Sequence, residues 1–191
     1  MKPVDTRHPT SALTPVSRAA LQPVPDPVAV YATDLALLRL LAADARLSQR
    51  HLAREIEMSA GAVGERLARL ERLGVLQRYT VAVDWARIGY PLSVFLPIVA
   101  AVGTDITEIL EHLSRLPEVE SINVVSGAYD LLVFVRVRDN QHLTDLLLDR
   151  IWPIPSLQRT ETLLCLASTK QKNFTEELLA VLVEQSRTAT D

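Results

Sequence analysis

Two short amphipathic segments, joined by a tight turn and each preceded by a serine, constrain the fold of this chain more than any other feature. Residues 49–57 follow Ser48, and residues 60–73 follow Ser59. A serine hydroxyl at such a position accepts a backbone N–H that the first helical turn leaves unpaired, and Gly74 suits the left-handed position after the last turn. The segments are therefore predicted to form two short helices with one apolar face each. The apolar positions are Leu52, Ala53 and Ile56 in the first segment and Val63, Leu67 and Leu70 in the second.

A third helix is predicted upstream, over residues 34–45, where Leu37 and Leu41 can pack against the other two. Three short helices with a tight second connection have the geometry of a helix-turn-helix unit, which binds DNA through its last helix. The first residues of that helix are small, so its N-terminus can approach a phosphate closely, and its arginines are predicted to point away from the apolar face. The alternative is a solvated face in which the arginines pair with Glu65 and Glu71 on the same helix. The predicted DNA-contacting residues are Ser48, Ser59, Ala60, Gly61, Ala62, Glu65, Arg66, Arg69 and Arg78.

The charge of the chain is unevenly distributed. The whole protein has a formal charge of −3, whereas residues 34–80 contain eight arginines and six acidic side chains. Local charge decides the attraction to phosphate, so the acidic total does not exclude DNA binding by this segment. Because the positive excess is small, we expect non-specific DNA binding to be weak and sensitive to salt.

The second half of the chain alternates strand and helix patterns in the order βαββαβ, which is that of a ferredoxin-like α+β domain. The segment 130–137 is apolar at nearly every position, which predicts helices on one face of the sheet and another subunit on the other. Pro97 lies in an interior strand of this topology, so a bulge or a missing ladder bond is expected there. The four predicted strands are residues 92–102, 119–126, 130–137 and 158–167.

A glycine turn between the two middle strands is the candidate effector site. A free amino acid needs an anion for its ammonium group and backbone N–H groups for its carboxylate. Asp130 can supply the anion, and the turn can supply N–H groups if Gly127 adopts a positive φ. The alternative is a plain hairpin in which Asp130 pairs with a nearby arginine. The predicted effector-binding residues are Ser126, Gly127, Ala128, Tyr129, Asp130 and Thr160.

Several classes of site find no support in the sequence. The only cysteine, Cys165, excludes an internal disulfide and a cysteine-rich zinc site, and its apolar neighbours predict a buried, inert thiol. The four histidines show no ligand spacing, which indicates solvated surface positions. No phosphate loop, nucleophile elbow or paired-carboxylate pattern is present, so neither catalysis nor a metal or cofactor is expected. The longest apolar run, residues 92–102, is too short to cross a bilayer, and without a secretory leader the protein is expected to be cytoplasmic.

Four motifs occur in a fixed order along the chain. They are Asp34 with its leucines, the run MSAGAVGERLARLERLGVLQRYT, the Gly127-x-x-Asp130 turn followed by a Leu-Leu-Val segment, and Arg-Thr-Glu-Thr at residues 159–162 with Lys170 beyond. Each is weak alone, but the ordered set resembles the leucine-responsive/asparagine regulator (Lrp/AsnC) family over roughly residues 31–172. The resemblance implies a winged helix-turn-helix joined to an amino-acid-metabolism regulatory domain. It also implies dimers that assemble further, and an amino acid or related metabolite bound between subunits near the glycine turn.

Composition and this resemblance divide the chain into five segments. Residues 1–30 are a proline-rich arm that is predicted to be unstructured. Residues 31–83 are the winged helix-turn-helix domain, ending in a strand or wing, and residues 84–91 are a linker. Residues 92–172 are the ferredoxin-like domain for effector binding and oligomerisation, and residues 173–191 are a C-terminal helix and tail predicted to pack on a neighbour.

The expected function is therefore sequence-specific transcription regulation, in which an amino acid or related small metabolite modulates DNA affinity or oligomeric state. The expected partners are double-stranded DNA, the effector and further copies of this chain. Two alternatives have the same architecture: a tetrapyrrole (siroheme-type) decarboxylase, and a metabolite-binding module that does not bind DNA. The arginines of the third helix favour DNA over the decarboxylase.

Overall fold

Helices and strands segregate into two compact units. The computed structural model describes residues 25–167 and 173–188. Among these, a helical unit contains residues 25–82 with 173–188, and a sheet unit contains residues 83–167. In chain order the elements are α1 (Ala32–Ala43), α2 (Gln49–Glu55), α3 (Ala60–Arg72), β1 (Leu92–Ala100), α4 (Thr107–Ser114), β2 (Val119–Val124), β3 (Leu131–Val137), α5 (Asn140–Asp145, continued as a π-helix over Leu146–Ile151), β4 (Leu157–Thr160), β5 (Leu163–Leu164) and α6 (Phe174–Thr188).

The first three helices pack as the sequence pattern predicts. The hydroxyl of Ser48 accepts the N–H of His51 (3.2 Å), and the hydroxyl of Ser59 accepts the N–H of Ala62 (3.2 Å), so both serines are N-caps. Gly74 follows α3 with a φ of +69°, which confirms the left-handed position expected there. The predicted apolar faces meet in one core, whose buried side chains are Leu37, Leu41, Leu52, Ala53, Val63 and Leu67.

The turn between α2 and α3 contains a non-glycine residue in the left-handed region. Glu57 has a φ of +55°, and the next N–H, that of Met58, donates to the carbonyl of Ala53 (2.9 Å). This bond satisfies one of the carbonyl groups that the end of α2 would otherwise leave unpaired. The turn therefore fixes where α3 begins relative to α2.

The segment after α3 differs from the predicted strand or wing. In the described part of the chain, residues 75–83 do not pair with any other segment as a β-strand. The N–H groups of Val75 and Leu76 instead turn back to the carbonyl of Leu70 (3.0 and 3.2 Å). A β-rich composition supplies only the side chains of a strand, and a strand also needs a neighbour for its backbone hydrogen bonds.

The predicted C-terminal helix is confirmed, but it packs against a different element from the one predicted. It packs on α1 of its own chain, whereas the sequence suggested a neighbouring subunit. The side-chain amide of Asn173 donates to the carbonyl of Ala42 at the end of α1 (2.8 Å), and its oxygen accepts the N–H of Glu176 (3.3 Å), so one side chain caps both helices. Val183 is buried on α6. A further set of apolar side chains on this helix is exposed: Phe174, Leu178, Val181 and Leu182.

The sheet unit has the predicted ferredoxin-like topology. Its strands are antiparallel in the order β2-β3-β1-β4, and β5 also pairs with β1. Alternate residues of β1 and β3 are buried in a core that α4 and α5 complete, with Leu147 and Ile151 contributed by the π-helical turn. The two central strands thereby bring the end of β1 beside the start of β3.

The interior proline removes one bond from the sheet, as predicted. The N–H of Glu161 donates to the carbonyl of Pro97 (2.9 Å), but Pro97 has no N–H with which to return a bond. The neighbouring edge strand is divided into β4 and β5 at this point. A register shift between β1 and β4 follows at Val99 and Ala100.

Candidate DNA-binding surface and effector turn

The face of α3 that points away from the helical core carries few long side chains. Gly61, Glu65, Ala68 and Arg72 recur at i, i+4, i+7 and i+11, which places them on one stripe. Glu65 and Arg72 are exposed, and neither side chain has a partner within the described residues. The buried residues on the opposite side of the helix are Val63, Leu67 and Leu70.

Arg66 and Arg69 differ from the expectation that they point away from the packed helices. Arg66 Nη1 donates to Oδ1 of Asp34 on α1 (2.9 Å), and Arg69 Nη1 donates to Oδ2 of the same carboxylate (3.1 Å). The Asp34 side chain is fully buried, whereas both arginine side chains are about one-third exposed. A buried carboxylate must be paired and hydrogen-bonded, so the two arginines stabilise the packing of α3 on α1. Both arginines therefore belong to the contact between α1 and α3, whereas the sequence predicted that they point away from the apolar face.

The same carboxylate holds the chain that enters α1. The N–H of Tyr31 donates to Oδ2 of Asp34 (3.0 Å), and Arg69 Nη2 donates to the carbonyl of Ala29 (2.7 Å). The guanidinium of Arg69 also lies 5.2 Å from the centre of the Tyr31 ring. The sequence contained a signal for this cluster, because Asp34 precedes Leu37 by three residues and so lies on the apolar face of its helix.

The remaining predicted DNA contacts lie at helix starts and beyond α3. Ser48 and Ser59 are exposed, as is Gly61, where no atom lies within 4 Å of the position a Cβ would take. The alanines on either side of Gly61 are half-buried. Arg78 is exposed and has no ion-pair partner among residues 25–167 and 173–188. The start of α3 is therefore open to close approach by a phosphate or a groove edge.

The turn from β2 to β3 has the backbone conformation that the sequence predicts. Gly127 has a φ of +135°, in a region that other residues rarely adopt, so the expected positive φ is confirmed. Residues 126–128 are exposed. The N–H groups of residues 126–129 donate to no group that the structure describes. They are available to a carboxylate.

Asp130 lies deeper than expected. The residue is only 7% exposed. Its Oδ2 accepts the N–H of Ala100 (2.9 Å), next to the register shift in β1. Its own N–H donates to the carbonyl of Ile98 (2.9 Å). Asp130 is thus bonded to β1 through both its carboxylate and its backbone, and its contact with an effector ammonium group stays a prediction. The residue joins the turn to β1.

A partly exposed polar cluster lies beside the turn. The hydroxyl of Tyr129 donates to Glu161 Oε2 (2.8 Å), and the guanidinium of Arg159 lies 5.8 Å from the ring centre of Tyr129. The hydrogen bond to Glu161 raises the pKa of the Tyr129 hydroxyl above its ordinary value, and desolvation adds to this effect. Thr160 instead accepts the indole N–H of Trp152 (3.0 Å). Sequence reasoning missed Glu161, which strand alternation could have placed on the same face as Arg159.

Two expectations about single residues are corrected. His142 is not a solvated surface residue, because its side chain is 13% exposed and its Nε2 lies 3.2 Å from Glu118 Oε1. Cys165 is half-buried rather than fully buried. In the described ranges, no three His, Cys, Asp or Glu side chains converge as a metal site requires. No helix in those ranges has the length and apolar character of a membrane span.

Two family models match the chain. The Lrp/AsnC ligand binding domain matches residues 93–173, and a winged helix-turn-helix DNA-binding domain matches residues 32–77. An uncharacterized HTH-type transcriptional regulator of Pyrococcus abyssi is 34% identical over 129 residues, which cover 68% of this chain and 81% of the relative. This chain belongs to the Lrp/AsnC family.

Solved structures share the fold of this Lrp/AsnC-family chain. AsnC of E. coli has a TM-score of 0.73 at 24% identity, covering 78% of this chain and 99% of AsnC. The leucine response regulatory protein LrpA of Mycobacterium tuberculosis has a TM-score of 0.65 at 32% identity, covering 73% and 94%. A transcriptional regulator of Neisseria meningitidis, solved as a complex with L-Met, has a TM-score of 0.71 at 21% identity, covering 75% and 94%.

Family membership decides between the alternatives left open by the sequence. The protein is a DNA-binding transcriptional regulator with a ligand-binding domain. The decarboxylase alternative is excluded, because the family consists of regulators and not of enzymes. The predicted fold class, a winged helix-turn-helix followed by a ferredoxin-like α+β domain, is confirmed.

Proposed function

We propose that this Lrp/AsnC-family regulator binds specific double-stranded DNA sites with α3. We further propose that an amino acid or related small metabolite, bound at residues 126–130, alters its DNA affinity or its oligomeric state. The observation that carries the proposal is that the chain exposes two features: the open stripe of α3, and a glycine turn whose N–H groups have no partner within the described residues. The first suits a nucleic acid and the second suits a carboxylate.

The proposed DNA-contacting residues have two roles: some contact the DNA or let it come close, and others hold α3 in place. The small residues from Ser59 to Ala62 allow close approach of the helix start, and Ser48 and Arg78 offer exposed groups to phosphates. Arg66 and Arg69 act chiefly by holding α3 on α1 through Asp34, and their exposed portions can still reach a phosphate. The remaining residues of this proposed surface are Ala60, Gly61 and Glu65.

The effector site follows from the chemistry of a zwitterion. The N–H groups of Ser126, Gly127 and Ala128 can bind the carboxylate. The Glu161 carboxylate accepts the Tyr129 hydroxyl and pairs with Arg159 (3.5 Å), but it is 40% exposed and can also bind the ammonium group. Tyr129 and Thr160 line this proposed effector site. Asp130 contributes by fixing the turn to β1 through its bond to Ala100.

The exposed face of the sheet supports a homodimer that can assemble further. Phe95 and Phe134 pack with ring centres 4.8 Å apart, and Arg136 lies 5.4 Å from the Phe134 ring. Phe95 is 38% exposed and Leu163, its partner on β5, is 50% exposed. Contiguous apolar side chains of this kind favour burial against a second copy. A two-fold dimer would direct two α3 helices to half-sites about one helical turn apart, or a multiple of it.

The test is a selection of fragments of the source genome by the full-length protein, with and without each common amino acid. L-Met is included first, because one solved relative is a complex with it. We expect one enriched sequence motif whose occupancy changes with a particular amino acid, and light scattering that shows a dimer or larger assembly. The absence of any motif contradicts the DNA proposal. A motif that no amino acid affects contradicts the effector proposal, and a stable monomer contradicts the assembly.

A further inference from the structure

We propose that Glu65 selects a cytosine in the DNA site by accepting a hydrogen bond from the exocyclic amino group of that base in the major groove. The inference rests on the proposed function, because it requires α3 to lie against DNA. It adds which side chain determines the sequence preference and which base that side chain favours.

The position of Glu65 on α3 favours contact with DNA bases. Glu65 lies on the face opposite the buried Val63 and Leu67. Its neighbours on the exposed stripe are Gly61 and Ala68, which extend little or not at all from the helix. In the N-terminal two turns of this stripe, the Glu65 carboxylate is therefore the group that reaches furthest from the helix axis.

The other long side chains of α3 are either bonded within the protein or lie far from the start of the helix. Arg66 and Arg69 donate to Asp34 at 2.9 and 3.1 Å. Arg72 lies in the last turn of α3, whereas a docked helix of this kind contacts base edges mainly with its N-terminal residues. This leaves Glu65 to contact the bases.

The negative charge of Glu65 opposes general binding to DNA. A carboxylate close to phosphates is repelled unless it gains a specific hydrogen-bond donor. Glu65 has no ion-pair partner within the described residues, and Arg69, at i+4, donates to Asp34 and to the carbonyl of Ala29 instead. An acidic side chain in this place weakens binding to DNA in general, so its contribution is to discriminate between sequences.

The choice of base follows from the hydrogen-bonding groups in the major groove. An ionised carboxylate only accepts hydrogen bonds, which excludes the acceptor edges of guanine and thymine. Cytosine and adenine each present an amino donor, but on adenine the N7 acceptor lies beside it and repels a carboxylate. Cytosine is therefore the base that Glu65 favours.

The experiment selects binding sites from a pool of random-sequence duplex DNA with four full-length proteins: wild type, Glu65→Gln, Glu65→Ala and Glu71→Gln. Glu71→Gln is the matched control, because it removes the same charge from the same helix and retains an acceptor for the Tyr79 hydroxyl (3.2 Å). We expect a C·G pair in each half-site of the wild-type motif. In the Glu65→Gln motif this pair becomes A·T, because a glutamine amide can bond to both N6 and N7 of adenine. In the Glu65→Ala motif the preference disappears at this pair alone.

Binding to the wild-type consensus then quantifies the effect. Changing the selected C·G pair to T·A is expected to lower the wild-type affinity roughly 5- to 150-fold and to leave the Glu65→Ala affinity unchanged. The inference fails if both Glu65 variants enrich the wild-type motif with the same base frequencies. It also fails if Glu65→Ala and Glu71→Gln raise the affinity for all sequences equally, as loss of a negative charge alone would do. If the wild-type protein enriches no motif, the proposed function itself fails, and the design separates that outcome from the others.

Discussion

The bonds of the Asp34 carboxylate to two arginines lead to a quantitative prediction about the stability of the helical unit. Both oxygens of this carboxylate are bonded, Oδ1 to Arg66 and Oδ2 to Arg69 and the N–H of Tyr31. A hydrogen bond to a buried charge contributes about 1.5–3 kcal/mol. The arginine side chains are 32% and 31% exposed, so solvent screening reduces this value. We therefore expect Arg66→Gln and Arg69→Gln each to lower the free energy of unfolding by about 1 kcal/mol.

Removal of both arginines has a larger effect than the two single losses together. In either single variant, the remaining arginine still neutralises the Asp34 carboxylate. In the double variant the fully buried carboxylate keeps only the N–H of Tyr31, and an uncompensated buried charge costs about 3–5 kcal/mol. The expected excess over additivity is about 1–3 kcal/mol, as for other groups in direct contact.

Asp34→Asn distinguishes this explanation from a loss of packing by the arginine stems. In the wild-type background the substitution is expected to destabilise the helical unit, because two guanidinium groups lose their carboxylate. In the double-arginine background it is expected to stabilise the unit, because it removes the unpaired charge. The sign of the effect therefore reverses between backgrounds.

Urea denaturation followed by far-ultraviolet circular dichroism measures these free energies. Both tryptophans, Trp85 and Trp152, lie in the sheet unit, so their fluorescence reports separately on the part of the chain that the substitutions do not touch. Arg72→Gln is the control, since Arg72 is exposed on the same helix, and we expect it to change stability by less than about 0.5 kcal/mol. Additive losses in the double variant, or an Asp34→Asn effect of the same sign in both backgrounds, would refute the reasoning.

Three further predictions concern single contacts. Asp130→Asn is expected to destabilise the sheet unit by about 1 kcal/mol, because a neutral amide is a weaker acceptor for the bonded N–H of β1; an unchanged midpoint of tryptophan fluorescence in urea would contradict this. Val183→Ala is expected to destabilise the helical unit by about 2 kcal/mol, since a buried side chain loses two methyl groups. The exposed Val181→Ala should change stability by less than about 0.5 kcal/mol, and equal losses for both would show that α6 does not pack as described. Glu161→Gln is expected to move the ionisation of Tyr129 to lower pH in a difference absorbance titration, because the hydrogen bond to Glu161 raises that pKa. The contribution of this bond to stability is present at neutral pH and is lost as pH rises through the raised pKa, so identical titrations of both proteins would exclude the bond.

Several features of this protein follow from a few adjacent residues, and the sequence was sufficient to predict them. Ser48 and Ser59 cap their helices because a hydroxyl and a free N–H lie three residues apart on the same turn. Gly127 adopts a positive φ because the turn requires a residue without a Cβ. Pro97 leaves a ladder bond unmade because it has no N–H in any fold. The order of the strands and helices is similarly visible in the periodicity of apolar residues.

Other features depend on which groups the folded chain brings into one space. Asp34 and its arginine partners are 32 and 35 residues apart, and the Asp130 carboxylate and the Ala100 N–H are 30 apart. No local sequence pattern predicts which partner a charged side chain will contact across a helix–helix interface or at the end of a strand. Residues 75–83 have the composition of a strand and remain unpaired in the described chain, because pairing requires a neighbour that composition cannot supply. The tertiary structure alone decided these contacts, because burial makes a charge or a backbone group depend on whatever partner lies within hydrogen-bond distance.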